Sequence, residues 1–128
     1  MNADERRYIN SLTEQVLAAA FEVSNTLGIG FLEKVYERAL WRELKLRGIQ
    51  AVQQASLKVM YKGGNVGIYC ADLLIENVLI VELKCVDRLA PEHTAQCLNY
   101  LKASGKPVCL LINFQSSELK WKRLVQGF

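Results

Sequence analysis

Apolar positions follow a helical period at two places in the first third of the chain. Leu12, Val16, Ala19, Ala20, Val23 and Leu27 form one stripe, which predicts a first helix. Ser11-Leu12-Thr13-Glu14 reads as a capping box at its start, with upstream residues free to extend it, and Gly28 suits its end. After the short Gly28-Ile29-Gly30 link, Leu32, Val35, Tyr36, Ala39, Leu40 and Leu44 form a second stripe that ends near Gly48. The period then changes. Residues 53–61 read as a strand and Lys62-Gly63-Gly64-Asn65 as a turn. Residues 66–75 and 78–86 read as strands that are apolar on both faces, which is the pattern of strands covered on both sides. Pro91 opens a third helix that runs to about Ser104, with Gly105 and Pro107 as its stop. Val108–Asn113 is another buried strand, and Leu119–Val125 a more exposed last one. The order ααβββαββ predicts an α/β domain with helices on both faces of a mixed sheet.

Composition adds boundaries. The chain has 128 residues, enough for one domain (1–128) with its own core. A content of 51% hydrophobic and 23% charged residues excludes wholesale disorder. No apolar run reaches the roughly 18 residues of a membrane helix, and the charged start lacks the apolar stretch of a signal peptide. A cytoplasmic protein is the expectation. The net charge of +3 permits nucleic-acid binding without indicating it. Cys70, Cys85, Cys97 and Cys109 show no C-x-x-C spacing and each lies in an apolar segment. Buried, reduced thiols are expected, and a zinc site is not.

Charges inside apolar strands are the informative feature. Asp72 interrupts one strand, and Glu82 and Lys84 the next. Buried charges are costly unless paired or bound to a metal. Glu82 and Lys84, two residues apart, share a face at a separation of ~7 Å along the strand. A buried ion pair that holds the sheet in register explains the same pattern as a functional site does. Register decides between them. A two-residue turn at Glu76-Asn77 would point Asp72 away from Glu82. A three-residue connection, with Asn77 left-handed, pairs Ile75 with Leu79 and sets Asp72 opposite Glu82. The odd-length loop, or an equivalent bulge, is expected.

Asp72, nine intervening residues and then Glu82-Leu83-Lys84 resembles the D…(D/E)-x-K core of the PD-(D/E)XK nuclease superfamily. Gly30-Phe31-Leu32-Glu33-Lys34-Val35-Tyr36 is similar to the motif that names the GxxExxY proteins, a bacterial family within it. Gln96-Cys97-Leu98-Asn99-Tyr100 is similar to the Q-x-x-x-Y motif of a RecB-like branch. Ala71 departs from the proline that often precedes the aspartate.

The resemblance implies a restriction-endonuclease-like core and a Mg²⁺- or Mn²⁺-dependent nuclease that acts on DNA. Asp72, Glu82 and the Leu83 backbone carbonyl are its implied ligands, with Glu33 as an additional ligand or orienting group. Lys84 would orient the attacking water or stabilise transition-state charge. Glu33 borders the second helix's stripe, where a helix-dipole role competes with ligation. Glu37, one turn on, is expected to be solvated. Tyr36 lies on the stripe, expected to pack and to bring its hydroxyl near the site. Gln96 and Tyr100 would orient Lys84 or the carboxylates, or touch substrate, with His93 at the rim. Trp41 and Trp121 are candidate anchors of a homodimer. The competing reading is a non-catalytic module of the same fold that binds nucleic acid or a partner protein.

Overall fold

The computed structural model describes residues 1–128. Helices α1 (Ala3–Leu27) and α2 (Glu33–Leu46) precede strands β1 (Ala51–Tyr61), β2 (Gly64–Ile75) and β3 (Leu79–Lys84). Helix α3 (Pro91–Ser104) and strands β4 (Val108–Asn113) and β5 (Lys120–Val125) complete the expected order. The five strands form one sheet in sequence order. All neighbours are antiparallel except β3 and β4, which run parallel because α3 carries the chain back between them.

The two-residue period of the central strands divides the core. Leu79, Val81 and Leu83 of β3, with Val108, Leu110 and Ile112 of β4, pack beneath the apolar stripes of α1 and α2. The alternate positions Ile80, Cys109 and Leu111 pack against Cys97, Tyr100 and Leu101 of α3. Both faces are covered, so these strands lack the polar alternation of a half-exposed sheet.

Three expectations are corrected. Helix α1 begins at Ala3, and Ser11 is not its cap. Asn2 caps the helix by accepting the Glu5 N–H at 2.8 Å, while Ser11 lies mid-helix on an exposed face. Ile9 continues the stripe upstream, and Asp4 and Glu5 favour a start there through the helix dipole. Secondly, only the C-terminal half of β2 is buried. Residues 64–70 pair with β1 alone and project past β3, leaving Val66 and Ile68 exposed. Thirdly, the four cysteines are free, but Cys70 is exposed for the same reason and Cys85 is half-buried.

The β2–β3 connection has the expected odd length. Ile75 pairs with Leu79, Leu74 with Ile80 and Leu73 with Val81. Glu76 and Asn77 both adopt positive φ, 50° and 59°, and the Val78 N–H bonds the Ile75 carbonyl at 3.0 Å. A tight turn of this kind joins residues 75 and 78, and the register to Leu79 makes Val78 the extra residue. This extra residue sets the sides on which Asp72 and Glu82 fall.

Asn113 closes the far end of the sheet. It is buried, accepts the Val86 and Gln115 N–H groups and donates to the Val86 carbonyl at 2.7 Å. Asn113→Ala would leave that backbone without partners. It is expected to lower the unfolding free energy by about 2 kcal/mol in urea denaturation.

Candidate active site

Strands β2 and β3 stop pairing beyond Leu73 and Val81, and side chains take over the hydrogen bonds. The Asp72 N–H donates to Glu82 Oε1 at 3.2 Å, and the Leu83 N–H to Asp72 Oδ2 at 2.8 Å. The two carboxylates therefore meet in a gap between adjacent strands, as the odd-length loop requires. Lys84 Nζ stands 3.7 Å from Glu82 Oε2, and the Tyr100 hydroxyl donates to the same oxygen at 3.3 Å from α3. The Cys70 carbonyl stands 3.2 Å from the same hydroxyl and shares its single proton with Glu82, which sets the helix against both acid-bearing strands.

Burial and crowding shape the electrostatics. Glu82 is almost fully buried. Desolvation and then the Asp72 charge push its pKa up to about 8, against the Asp72 N–H and Lys84, which lower it. Burial and the neighbouring Glu82 raise the Tyr100 hydroxyl, so it stays a neutral donor. Glu33, the first residue of α2, is largely exposed along its length, yet it faces the same group of charges. Desolvation of its carboxyl and the Asp72 charge raise its pKa, while Lys84 and the Cys85 N–H lower it. Two strands and one helix start thus bring three acids into one field with one lysine.

The other expected site residues divide. Tyr36 does not reach the cluster. Its ring stacks on Phe114 at 4.8 Å, and its hydroxyl donates to the Gly28 carbonyl and accepts the Phe31 N–H. The stripe position buries the ring, and the hydroxyl is used up in fastening the α1–α2 link. Tyr36→Phe is expected to cost about 1 kcal/mol of stability, measured by urea denaturation. Gln96 lies half-buried one turn before Tyr100 and makes no side-chain hydrogen bond to the carboxylates. His93 caps α3 by accepting the Ala90 N–H at 2.9 Å. Trp41 does not face outward as an anchor, because its Nε1 donates to the Ala51 carbonyl at 2.9 Å and its ring packs on the core. Trp121 is exposed on the edge strand β5.

Two residues of the cluster escaped the sequence reading. Glu37 is buried, not solvated, and is held by Lys34 at 3.1 Å and Gln54 at 2.6 Å. Gln54, on β1 opposite Asp72, also donates to Asp72 Oδ1 at 3.3 Å and accepts from Cys70 Sγ at 3.2 Å. Its φ is +52°, a conformation that costs an L-residue about 1–2 kcal/mol. The Glu33–Glu37 spacing of four and the Lys34–Glu37 spacing of three were visible signals for Glu37. Nothing in the strand pattern distinguishes Gln54 from its neighbour Gln53.

No group of three or more His, Cys, Asp or Glu side chains converges closely enough to hold a metal ion by itself. Asp72 and Glu82 offer hard oxygen donors that suit Mg²⁺ or Mn²⁺. Mg²⁺ commonly takes one or two carboxylates and completes its shell with water and phosphate oxygens, so this donor pair fits such an ion.

Residues 10–124, which carry all of these side chains, match the family model of the PD-(D/E)XK nuclease superfamily. The chain belongs to the PD-(D/E)XK nuclease superfamily. No curated protein matches it. Among solved structures it resembles an alkaline exonuclease from Laribacter hongkongensis, at 14% identity and a TM-score of 0.54, over 73% of this chain and 55% of that one. It also resembles the protein SSO0001, at 18% identity and a TM-score of 0.55, over 75% of this chain and 51% of that one. The exonuclease in complex with dAMP aligns at 12% identity and a TM-score of 0.50, over 84% of this chain and 76% of that one. The chain spans about half the length of the first two, and at these identities the likeness shows the PD-(D/E)XK fold. No helix is long and apolar enough to cross a membrane.

Proposed function

We propose that the protein is a Mg²⁺- or Mn²⁺-dependent nuclease that hydrolyses phosphodiester bonds of DNA, in the manner of the GxxExxY branch of the superfamily. The observation that carries this reading is the buried Glu82 carboxyl, placed against Asp72 with Lys84 alongside. The superfamily generally uses divalent metal ions. Asp72, Glu82 and the Leu83 backbone carbonyl are the proposed ligands, with Glu33 reaching the same site from α2. A bound ion would lower the pKa of a coordinated water and offset charge on the phosphoryl group. Lys84 orients the attacking water or stabilises the charge that develops as water adds to phosphorus in line and the leaving oxygen departs. Tyr100 holds Glu82 by its hydroxyl, and Gln96 contacts substrate from the same face of α3.

The test is hydrolysis of labelled single-stranded, nicked and duplex DNA with Mg²⁺, Mn²⁺ or EDTA. Cleavage that persists in EDTA would sink the metal dependence. The absence of a closer acid cluster favours one competing reading, a nuclease-fold module that binds nucleic acid or a partner without cutting. Calorimetric titration with Mn²⁺ separates the two, since a module of that kind needs no ion at Asp72 and Glu82. The exposed Trp121 and the free thiols are consistent with a homodimer working in the cytoplasm. Light scattering on the wild type and on Trp121→Ala tests the assembly, with loss of the dimer expected in the variant.

A further inference from the structure

Four non-glycine residues have positive φ. Three of them, Lys62, Glu76 and Asn77, lie in the two hairpin turns, where that conformation is ordinary. Gln54 alone lies inside a strand, at the position that faces Asp72 across the β1–β2 ladder. A strained backbone persists when its surroundings hold it there, and such strain is a pointer to function. Its surroundings here are the carboxylates. The side-chain amide has two N–H groups, and the structure accounts for both: one goes to Glu37 Oε1 at 2.6 Å and the other to Asp72 Oδ1 at 3.3 Å. The amide oxygen accepts from Cys70 Sγ at 3.2 Å, so the orientation of the amide is determined at both ends. Glu37 is in turn held by Lys34.

We propose that Gln54 is a positioning residue that fixes the Asp72 carboxylate for its ligand. This rests on the metal-dependent reading above. Gln54 bonds Oδ1 and the Leu83 N–H bonds Oδ2, so each Asp72 oxygen is anchored by a donor that occupies only one of its lone pairs. A lysine or arginine at the same place would fix the carboxylate too, but would cancel the charge that draws a cation. The neutral amide orients without that cancellation. Glu37 supplies the counterweight that keeps the amide nitrogen, rather than its oxygen, toward Asp72. The left-handed backbone at Gln54 is what brings one side chain within reach of both acids.

The role separates from a structural one by substitution at this residue. Gln54→Gly removes the amide and relieves the backbone, since glycine adopts positive φ freely. Gln54→Asn keeps a residue tolerant of that backbone but is one methylene short of its two partners. In the full chain, Gln54→Gly is expected to melt near the wild-type temperature, because backbone relief offsets the lost hydrogen bonds, and Gln54→Asn is expected to melt modestly lower. In both, the Leu83 amide resonance is expected to shift and its hydrogen exchange to quicken as Asp72 loses its second anchor. Mn²⁺ affinity, measured by calorimetry, is expected to fall roughly 10- to 100-fold, as for other residues that orient ligands from behind. For a labelled oligonucleotide, kcat is expected to fall with KM unchanged. An unaltered Leu83 amide in both variants would overturn the inference whatever the metal result. So would a shifted Leu83 amide with unaltered Mn²⁺ affinity. A wild-type protein that takes up no divalent ion, with the Leu83 shift still present, would overturn the metal-dependent reading and uphold the hold of Gln54 on Asp72.

Discussion

Glu82→Ala is expected to lower Mn²⁺-dependent phosphodiester hydrolysis by roughly 10³-fold, about 4 kcal/mol of transition-state stabilisation. The loss follows from its place. Glu82 is one of two carboxylates in the strand gap, and its neighbour Asp72 is bonded to it through the backbone N–H. Removing either leaves one acid in the strand gap, with only the largely exposed Glu33 to join it, too few donors for a firmly held ion. Lys84→Ala is expected to cost roughly 10²- to 10³-fold, the usual effect of losing one group that stabilises developing charge. The double variant is expected to fall no lower than Glu82→Ala alone, because the lysine has nothing to assist once the carboxylate is gone. Initial rates on a labelled oligonucleotide measure all three. Variants that cut as fast as the wild type would assign the activity to a contaminant and the charges to a structural pair. In that case, replacing Glu82 and Lys84 together by apolar residues is expected to be neutral or stabilising.

The metal-free protein is expected to lose stability as pH rises from about 4.5 to 8. Glu82 titrates at about 8 in the folded chain and near 4.5 as an ordinary glutamate. Below 4.5 both states hold the proton. Between the two values the folded state binds more protons than the unfolded state, so each step up in pH favours unfolding. Above 8 both are ionised and the slope ends. At about 1.4 kcal/mol per unit, the total is roughly 3–5 kcal/mol. Glu33, raised by the same neighbours, adds to the slope in the same direction. Urea denaturation in EDTA at pH 5 and pH 8 measures the loss, and Glu82→Gln is expected to remove most of it. A wild-type profile without slope would show that Glu82 is ionised in the absence of metal. With Mn²⁺ present the slope is expected to flatten. Binding at pH 7 is expected to release a proton, because the ion requires the carboxylate form.

Element type and order were legible because local rules sufficed. The stripes of α1 and α2, Pro91 and Gly105 around α3, and the doubly apolar β3 and β4 all became the elements they predict. The site was legible in part. Charges inside strands that otherwise need none marked Asp72, Glu82 and Lys84, while Glu76-Asn77 allowed two loop lengths and the register to Leu79 came from the structure. Boundaries were harder. Ser11 had the chemistry of a cap, but Ile9 and the acids before it made a longer helix. The first half of β2 had the apolar content of a buried strand, yet β3 is too short to cover it.

By itself the sequence determined the order of elements and the two-sided burial of the central strands, and it narrowed the β2–β3 loop to two lengths, of which the odd one sets two acids face to face. Each follows from interactions between residues near in the chain or from the period of a single element. Only the tertiary structure decided which polar side chains join the acids. Tyr36 turned to the α1–α2 link, Glu37 became buried, and Gln54 came within reach of Asp72, 18 residues away. Those outcomes depend on where α2 crosses β1 and on one strained φ. Neither the period of a strand nor the polarity of a residue specifies them.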